Sequence, residues 1–280
     1  TTDLVRASAL AAEANAEVPS DLTPDLVDLE GDIPGVGDCT YEDGEEWELC
    51  PRGEVTAERS LVVVGDSHAR AWIPAFEKIA AHSGWRTYYL VKPQCTGAFV
   101  YPTNVDTREP WPECVDFHEW TEDRITELEP DLVVVSSTAP TGVVNADGER
   151  VGNGPELSEI LRAGTADMLQ TYQRLTPRLV LLADVPRLTF DPAVCLSTLG
   201  ARLGDCSSAP KAESAAITAT SIELADELGI ESVDPEPWLC ADGVCPTVVG
   251  STIAYRDKGH ISATRAEELG EPLGRALGIW

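Results

Sequence analysis

Short apolar runs alternate with amphipathic stretches from residue 61 to the end of the chain. Runs of four or five residues predict strands at Leu61–Val64, Thr87–Val91, Leu132–Val135, Leu179–Ala183 and Ile230–Val233. Apolar residues that recur with helical spacing predict helices at Ala71–Ser83, Cys114–Leu128, Glu156–Leu175, Lys211–Leu228 and Ala263–Leu277. The runs near 132 and 179 are almost uninterruptedly apolar, as expected of strands that helices cover on both faces.

Five consecutive strand–helix units indicate an α/β protein. They predict a doubly wound α/β/α sandwich with a five-stranded, mainly parallel sheet in the flavodoxin-like order. Residues 1–59 lack this alternation, since an Ala-rich helix candidate at Leu4–Ala14 precedes an acidic stretch that prolines interrupt. We therefore predict an N-terminal extension or linker over 1–59 and one α/β domain over 60–280.

Acidic side chains dominate the composition. Aspartate and glutamate number 48 against 20 lysines and arginines, which gives a formal net charge of −28. Such a surface repels nucleic acid and anionic lipid headgroups, so neither is an expected partner. The apolar runs are far shorter than the roughly 20 residues of a membrane-spanning helix, and the sequence shows no secretory apolar segment.

The cysteines form close neighbours in the sequence. An even number, each with one near neighbour, predicts disulfides and an oxidising compartment. Sequential pairing is the simplest connectivity: Cys39–Cys50, Cys95–Cys114, Cys195–Cys206 and Cys240–Cys245. Zinc is the alternative for the last pair, but no second closely spaced Cys or His pair accompanies it. We expect no metal and no cofactor, and an extracytoplasmic chain whose membrane anchor lies outside this sequence.

The motif Gly65-Asp66-Ser67-His68 joins the first predicted strand to the first predicted helix. Pro74 places the start of the regular helix near residue 70, because proline is tolerated only in a first turn. That leaves Ser67 in the turn, close to helix N–H groups that stabilise negative charge. A serine in this position is a candidate nucleophile, although the same residues also suit an ordinary helix N-cap.

A second motif, Asp257-Lys258-Gly259-His260, supplies an acid and a histidine near the other end of the chain. A serine hydroxyl is a weak nucleophile and needs a general base that a third group holds in orientation. His260 is the candidate base and Asp257 the candidate orienting acid. Both motifs follow predicted strands at the same end of the sheet, where open α/β folds bind their ligands.

The two motifs together carry a family resemblance. Gly65-Asp66-Ser67-His68 with Asp257-x-x-His260 resembles the SGNH hydrolase superfamily. More narrowly, the chain resembles the extracytoplasmic SGNH domain fused to membrane-bound acyltransferases of the acyltransferase-three family. The resemblance implies a triad of Ser67, His260 and Asp257. It also implies an N-terminal extension that packs on the domain, an integral-membrane acyltransferase domain upstream in the same polypeptide, and a location outside the cytoplasm.

The developing oxyanion needs hydrogen-bond donors, of which the Ser67 backbone N–H is one. In the resembled family, a glycine after the second strand and an asparagine after the third supply the others. Gly97 suits the glycine position. No asparagine is present in Val133–Pro140, and Asn145 and Asn153 lie farther along the chain. We expect a hydroxyl of Ser137 or Thr138 to substitute, or the oxyanion hole to be weaker.

The other conspicuous polar side chains have structural interpretations. We expect His68 to shape the turn and Asp66 to hold it through backbone N–H groups. His82 and His118 are expected at the surface of helices. Three tryptophans suit either a carbohydrate-binding face or the core: Trp111, Trp120 and Trp238.

Three functions fit these residues. The first is an O-acyltransferase that passes an acyl group, most plausibly acetyl, from Ser67 to a hydroxyl of an envelope glycan or glycolipid. The second is a secreted carbohydrate acetylesterase with the same triad and water as the acceptor. The third is a glycan-binding module without catalysis, which the missing asparagine favours.

Overall fold

A central β-sheet with helices on both faces organises the computed structural model, which describes residues 1–37, 39–41, 47–152 and 154–280. The helices are α1 (Thr2–Glu13), α2 (Ser67–Ala71), α3 (Ile73–Ser83), α4 (Pro112–Leu128), α5 (Pro155–Leu175), α6 (Pro192–Leu196), α7 (Ala212–Glu227), α8 (Ala263–Glu268) and α9 (Gly270–Ala276). The strands are β1 (Arg52–Gly53), β2 (Ser60–Gly65), β3 (Arg86–Val91), β4 (Leu132–Ser136), β5 (Val143–Val144), β6 (Arg150–Val151), β7 (Leu179–Leu182), β8 (Ser207–Ser208), β9 (Glu231–Val233), β10 (Cys245–Pro246), β11 (Val248–Val249) and β12 (Thr252–Ile253).

The central sheet has the strand order β1-β3-β2-β4-β7-β9. Strand β2 pairs in parallel with β3 and β4, so that Val63 lies between Tyr89 and Val134. The predicted mainly parallel, doubly wound sheet is therefore confirmed. Among the described residues, the sheet has six strands rather than the predicted five, because the sequence pattern did not predict β1, an antiparallel edge strand in which Arg52 pairs with Thr87. The pattern also did not predict the two-residue strands outside this sheet: β5, β6, β8, β10, β11 and β12. Two residues are too short to show the alternation that identifies a strand.

The two faces of the sheet bury separate apolar layers. Leu61 and Val63 of β2 point into the layer that contains α3, α8 and α9. Val62 and Val64 point into the opposite layer, which contains α4, α5 and α7. Because successive side chains of a strand alternate between faces, a strand buried on both faces must be apolar at every position. This explains the continuous apolar run before the Gly65-Asp66 turn.

The predicted helix over 71–83 corresponds to α3, and a separate short helix, α2, precedes it. Helix α2 begins at Ser67, and α3 begins at Ile73 after a break at Trp72. The prediction that the helix starts near residue 70 was therefore wrong, and Ser67 is the first residue of α2. Pro74 has no N–H to donate to the preceding turn, so one continuous helix cannot form. Pro272 lies in the first turn of α9 in the same way, and the predicted helix over 263–277 is divided into α8 and α9.

The N-terminal segment packs against the α/β core. Val5, Ala9 and Ala12 of α1 are buried. The Thr264 N–H donates to an Asp32 carboxylate oxygen at 3.0 Å, beside the start of α8. These contacts attach the segment to the C-terminal part of the chain. The division into an extension over 1–59 and a domain over 60–280 stays a prediction.

The cysteines are bonded in the sequential pattern that the sequence favoured: Cys39–Cys50, Cys95–Cys114, Cys195–Cys206 and Cys240–Cys245. Within the described ranges, one group of side chains has metal-ligand spacing, namely Cys95, Cys114 and His118. Its two sulfurs are bonded to each other, so neither is the thiolate that a metal requires. Among the helices described, none is both long and apolar enough to cross a bilayer.

Candidate active site

The sharp turn after β2 places Ser67 at the carboxyl end of the sheet. Gly65 has φ 147°, and a Cβ at this position would lie 1.8 Å from the Ser136 carbonyl oxygen of β4. Only glycine therefore allows β2 to approach β4 so closely before turning. Asp66 is the N-cap of α2 and accepts the His68 N–H at 2.8 Å. This local geometry presents the Ser67 hydroxyl at the end of the strand.

His260 approaches Ser67 from a closed loop near the C-terminus. The loop is fastened at its base, where the Arg256 N–H donates to the His260 carbonyl oxygen at 3.0 Å. The His260 Nε2 lies 2.8 Å from the Ser67 Oγ. This distance is within the range we expect between a serine nucleophile and its base. The imidazole is 19% exposed, so substrate can reach it.

Asp257 holds the other nitrogen of the imidazole. Its Oδ2 lies 2.8 Å from the His260 Nδ1, and its Oδ1 accepts the N–H groups of Gly259 and His260 at 2.8 and 2.9 Å. Burial by itself would raise the pKa of the Asp257 carboxyl. The interactions with His260 and the two N–H groups lower the pKa by a larger amount, so the net pKa is well below the usual range. Asp257 is therefore ionised at neutral pH and can only accept hydrogen bonds.

Asp66 is buried and connects the loops around the turn. Its second oxygen accepts both the Ser137 hydroxyl and the Thr138 N–H at 2.9 Å. Burial raises the pKa of Asp66, although His68 and the backbone N–H groups oppose the increase. Asp66 makes no hydrogen bond to His260 within the described structure, which fits the expected role of holding the turn.

The residues proposed for the oxyanion hole contact one another. The Gly97 N–H donates to the Ser137 Oγ at 2.8 Å, and that hydroxyl donates in turn to Asp66. The Thr96 hydroxyl lies beside them and donates to the Thr138 carbonyl oxygen at 3.0 Å. Gly97 and Ser137 thus lie together at the expected end of the sheet. Their donor groups are engaged with protein acceptors in this arrangement.

The side chains of His68 and Asp184 form a pair next to His260 that was not predicted from the sequence. The His68 Nδ1 is 2.5 Å from an Asp184 carboxylate oxygen, and the His68 ring centroid is 4.4 Å from that of His260. Burial lowers the pKa of His68, but the attraction and hydrogen bond of Asp184 outweigh it, and the net pKa is raised. The sequence did contain a signal for Asp184, because this residue comes two positions after the apolar strand β7 and so belongs to the polar end of the sheet.

Of the remaining histidines, one does not lie where we expected it, and the three tryptophans pack against the core. His118 is buried rather than at the surface, and its Nε2 lies 2.7 Å from the Thr96 carbonyl oxygen. It lies on the apolar face of α4 that packs on the sheet, whereas His82 is exposed and stacks on Trp280. The three tryptophans are half-buried and contact core side chains: Trp111, Trp120 and Trp238.

Comparison with known proteins identifies the family and the fold. The family model described as SGNH domain (fused to AT3 domains) matches residues 38–275. No curated protein sequence matches the chain. Among solved structures, the chain is similar to the lipopolysaccharide acetyltransferase periplasmic domain of Salmonella ser. Paratyphi A, with 15% identity, 80% of this chain and 86% of that chain covered, and a TM-score of 0.63. It is also similar to the aryl esterase of M. smegmatis, with 13% identity, 79% and 98% covered, and a TM-score of 0.49. The first of these likenesses shows a shared fold.

Proposed function

The chain belongs to the family of SGNH domains that are fused to AT3 domains, and from this membership and the site geometry we propose that it is an O-acyltransferase domain. Ser67 forms an acyl-enzyme, with acetyl as the expected acyl group. The acceptor is a hydroxyl of a cell-envelope glycan or glycolipid.

The observation that carries the proposal is the hydrogen-bonded series Ser67–His260–Asp257. Because the Asp257 carboxylate can only accept, the His260 Nδ1 must carry the proton between them. The Nε2 of the neutral imidazole is then an acceptor, and it lies 2.8 Å from the Ser67 Oγ. The hydroxyl therefore donates to the nitrogen that would remove its proton, which is the ground state that general-base catalysis requires.

The proposed reaction proceeds in two balanced steps. The Ser67 oxygen bonds to the acyl carbonyl carbon while its proton passes to the His260 Nε2, and the leaving group departs with that proton. The acceptor hydroxyl then gives its proton to the same nitrogen and bonds to the acyl carbon. The Ser67–carbon bond breaks, and Ser67 recovers its proton from the imidazole.

The oxyanion of each step needs preorganised donors. We assign the Ser67 N–H, the Gly97 N–H and the Ser137 hydroxyl to this role. The Gly97 N–H donates to the Ser137 Oγ and the Ser137 hydroxyl donates to Asp66, so binding of the carbonyl oxygen must replace both contacts. Because each replaced hydrogen bond offsets part of the stabilisation, this oxyanion hole should be weaker than one with free donors.

The acyl donor and the location follow from the family and the disulfides. We propose that an integral-membrane AT3 domain upstream in the same polypeptide supplies the acyl group. Four disulfides among the described residues support an oxidising compartment, because such bonds persist outside the cytoplasm. The domain is therefore proposed to face the outer side of the cytoplasmic membrane or the periplasm.

The test is hydrolysis and transfer of a small activated ester. The isolated chain should slowly hydrolyse p-nitrophenyl acetate, and Ser67→Ala should abolish this while His260→Ala nearly does so. Ser20→Ala, an exposed serine of the N-terminal segment, is the matched control. Mass spectrometry should detect an acetylated Ser67 peptide and an acetylated sugar when a suitable sugar is added.

Each alternative function has its own outcome in this test. Wild-type turnover by Ser67→Ala would show that the nucleophile is wrong. Acetate release without any sugar ester would favour the carbohydrate acetylesterase. Complete inactivity with sugar binding would favour the glycan-binding module, which the Ser67–His260 hydrogen bond disfavours.

A further inference from the structure

A cleft of about 470 Å³ lies between α5 and α7, above the carboxyl ends of β4 and β7. Val135 and Leu181 of these strands form part of its floor. The first half of α7 is largely exposed and does not close against α5. The volume is in the range of small-molecule sites, which hold roughly 300–1,000 Å³. The cleft is thus large enough for one or two sugar rings.

Residues that line the cleft hydrogen bond to both neighbours of Ser67 in the sequence, although Ser67 and His260 do not themselves line it. Ser137 and Thr138 at its edge hydrogen bond to Asp66, the residue before Ser67. Asp184, also at its edge, hydrogen bonds to His68, the residue after Ser67. A molecule in the cleft therefore borders the segment that carries the serine hydroxyl.

The walls of the cleft combine hydroxyl and aliphatic groups. Both helices and the loop after β4 contribute hydroxyls, among them Thr138, Thr141, Ser158, Thr165, Ser214 and Thr218. Leu161 and Ile217 add aliphatic surface from the facing helices. Sugar rings present the same combination, with hydroxyl edges and C–H faces. An alkyl chain would leave the wall hydroxyls without partners, so the lining favours a saccharide.

Arg187 brings a positive charge to the catalytic end of this cleft. A Cβ on Gly259 would lie 3.2 Å from the Arg187 Cζ, which places the guanidinium against the residue before His260. Arg187 is half-buried, and it forms neither an ion pair nor a side-chain hydrogen bond with the residues that the structure describes. The nearby Asp184 carboxylate is engaged with His68 at 2.5 Å.

That Arg187 has no carboxylate partner among the described residues contrasts with the acidic composition of the chain. Carboxylates outnumber basic side chains by 48 to 20 in this chain, so a guanidinium could readily have been paired. Lys211 also lines the cleft, and Glu213 already pairs with it at 3.2 Å. A guanidinium presents a fork of N–H donors that matches carboxylate and phosphate oxygens. Arg187 is therefore the group in this cleft best suited to bind an anion.

We propose that the cleft between α5 and α7 binds the acceptor saccharide, and that Arg187 binds a carboxylate or phosphate group on that saccharide. This inference rests on the proposed function, because it assigns the acceptor of the Ser67 acyl-enzyme. An acidic surface repels anionic polymers in general. The Arg187 guanidinium then selects those acceptors whose charge reaches it while a hydroxyl reaches Ser67.

Binding to the Ser67→Ala protein tests the inference without any turnover. Amide chemical shifts are followed while glucuronate, glucose 6-phosphate or glucose is added at millimolar concentration. At least one charged sugar should shift resonances of α5, α7 and the loop over 257–260, and it should bind about tenfold more tightly than glucose. Glucuronate and glucose 6-phosphate distinguish a carboxylate from a phosphate. Equal binding of glucose, or no binding by either charged sugar, overturns the proposal.

Substitutions of Arg187 separate charge recognition from support of the loop. Arg187→Gln should remove the preference for the charged sugar, and Arg187→Lys should retain part of it, because charge is kept but the fork is lost. Arg275→Gln is the matched control, since Arg275 pairs with Glu271 and does not line the cleft. An unchanged preference in Arg187→Gln overturns the assignment.

The outcomes also separate this inference from the proposed function. If the wild-type chain transfers acetyl to glucose and to charged sugars equally, the transferase stands and the role of Arg187 fails. If no ester is turned over but a charged sugar binds through Arg187, the transferase fails and the cleft remains an anionic saccharide site.

Discussion

Asp257→Asn should slow catalysis, though less than removal of the His260 base, by changing which imidazole nitrogen carries the proton. The Asp257 Oδ1 accepts the N–H groups of Gly259 and His260, so the amide oxygen of Asn must take its position. The amide NH₂ then replaces Oδ2 and faces the His260 Nδ1 at 2.8 Å. The NH₂ can donate to an unprotonated Nδ1 at 2.8 Å, whereas a protonated Nδ1 keeps only the 3.0 Å contact to the retained oxygen, so the tautomer with the proton on Nε2 is favoured. The His260 Nε2–H then points at Ser67 and cannot accept its proton.

The structure sets the size of this effect. Restoring the productive tautomer costs the charge-assisted hydrogen bond, about 1.5–3 kcal/mol, and leaves an unsatisfied donor, about 1–3 kcal/mol. Together these terms are about 2.5–6 kcal/mol, which corresponds to a rate loss of about 10²–10⁴. Asp257→Asn should lose part of the stability, because the neutral amide lacks the charge that stabilises the fold, although its oxygen still accepts both backbone N–H groups. Asp257→Ala should lose both rate and stability.

The assay is p-nitrophenyl acetate hydrolysis at neutral pH, combined with ¹⁵N NMR of the His260 ring to identify the protonated nitrogen. Asp242→Asn, on an exposed aspartate, is the control and should match the wild type. The reasoning is refuted if Asp257→Asn retains activity within about tenfold of wild type. It is also refuted if the spectrum still shows the proton on Nδ1 of the imidazole.

Three further predictions concern stability and covalent structure. Gly65→Ala should prevent folding or cost more than about 3 kcal/mol in urea denaturation, whereas Gly84→Ala, where a Cβ meets no other atom within 4 Å, should cost only about 1 kcal/mol. Peptide mapping of the unreduced protein should link Cys95 to Cys114 and find no thiol that alkylates; an alkylated thiol would contradict the pairing. The folded-state pKa of Asp257 lies below its unfolded value of about 3.9, so its stabilisation is complete above that pH and is lost as the pH falls towards the folded pKa. The difference in unfolding free energy between wild type and Asp257→Ala should therefore be constant down to about pH 5 and shrink below about pH 4; a difference that grows on acidification would contradict this sign.

The sequence by itself determined the elements and their order. A strand buried on both faces must be apolar at every position. Leu61–Val64 and Leu132–Val135 could therefore be identified as strands from the sequence alone. Topology then placed Ser67 and the Asp257–His260 loop at the same end of the sheet. A proline that breaks a helix was also visible, although Pro74 was interpreted as starting the first helix rather than a second one.

Only the tertiary structure decided which polar groups meet across the chain. His68 and Asp184 are 116 residues apart, and Gly97 and Ser137 are 40 apart. Periodicity reports which face of an element is buried, since that depends on local geometry. It carries no information on which loop ends converge within 3 Å, because that depends on how helices of different length return the chain to the sheet. The position of Arg187 against Gly259 could likewise not be predicted from the sequence, because the placement of an arginine in a cleft depends on side chains from separate segments.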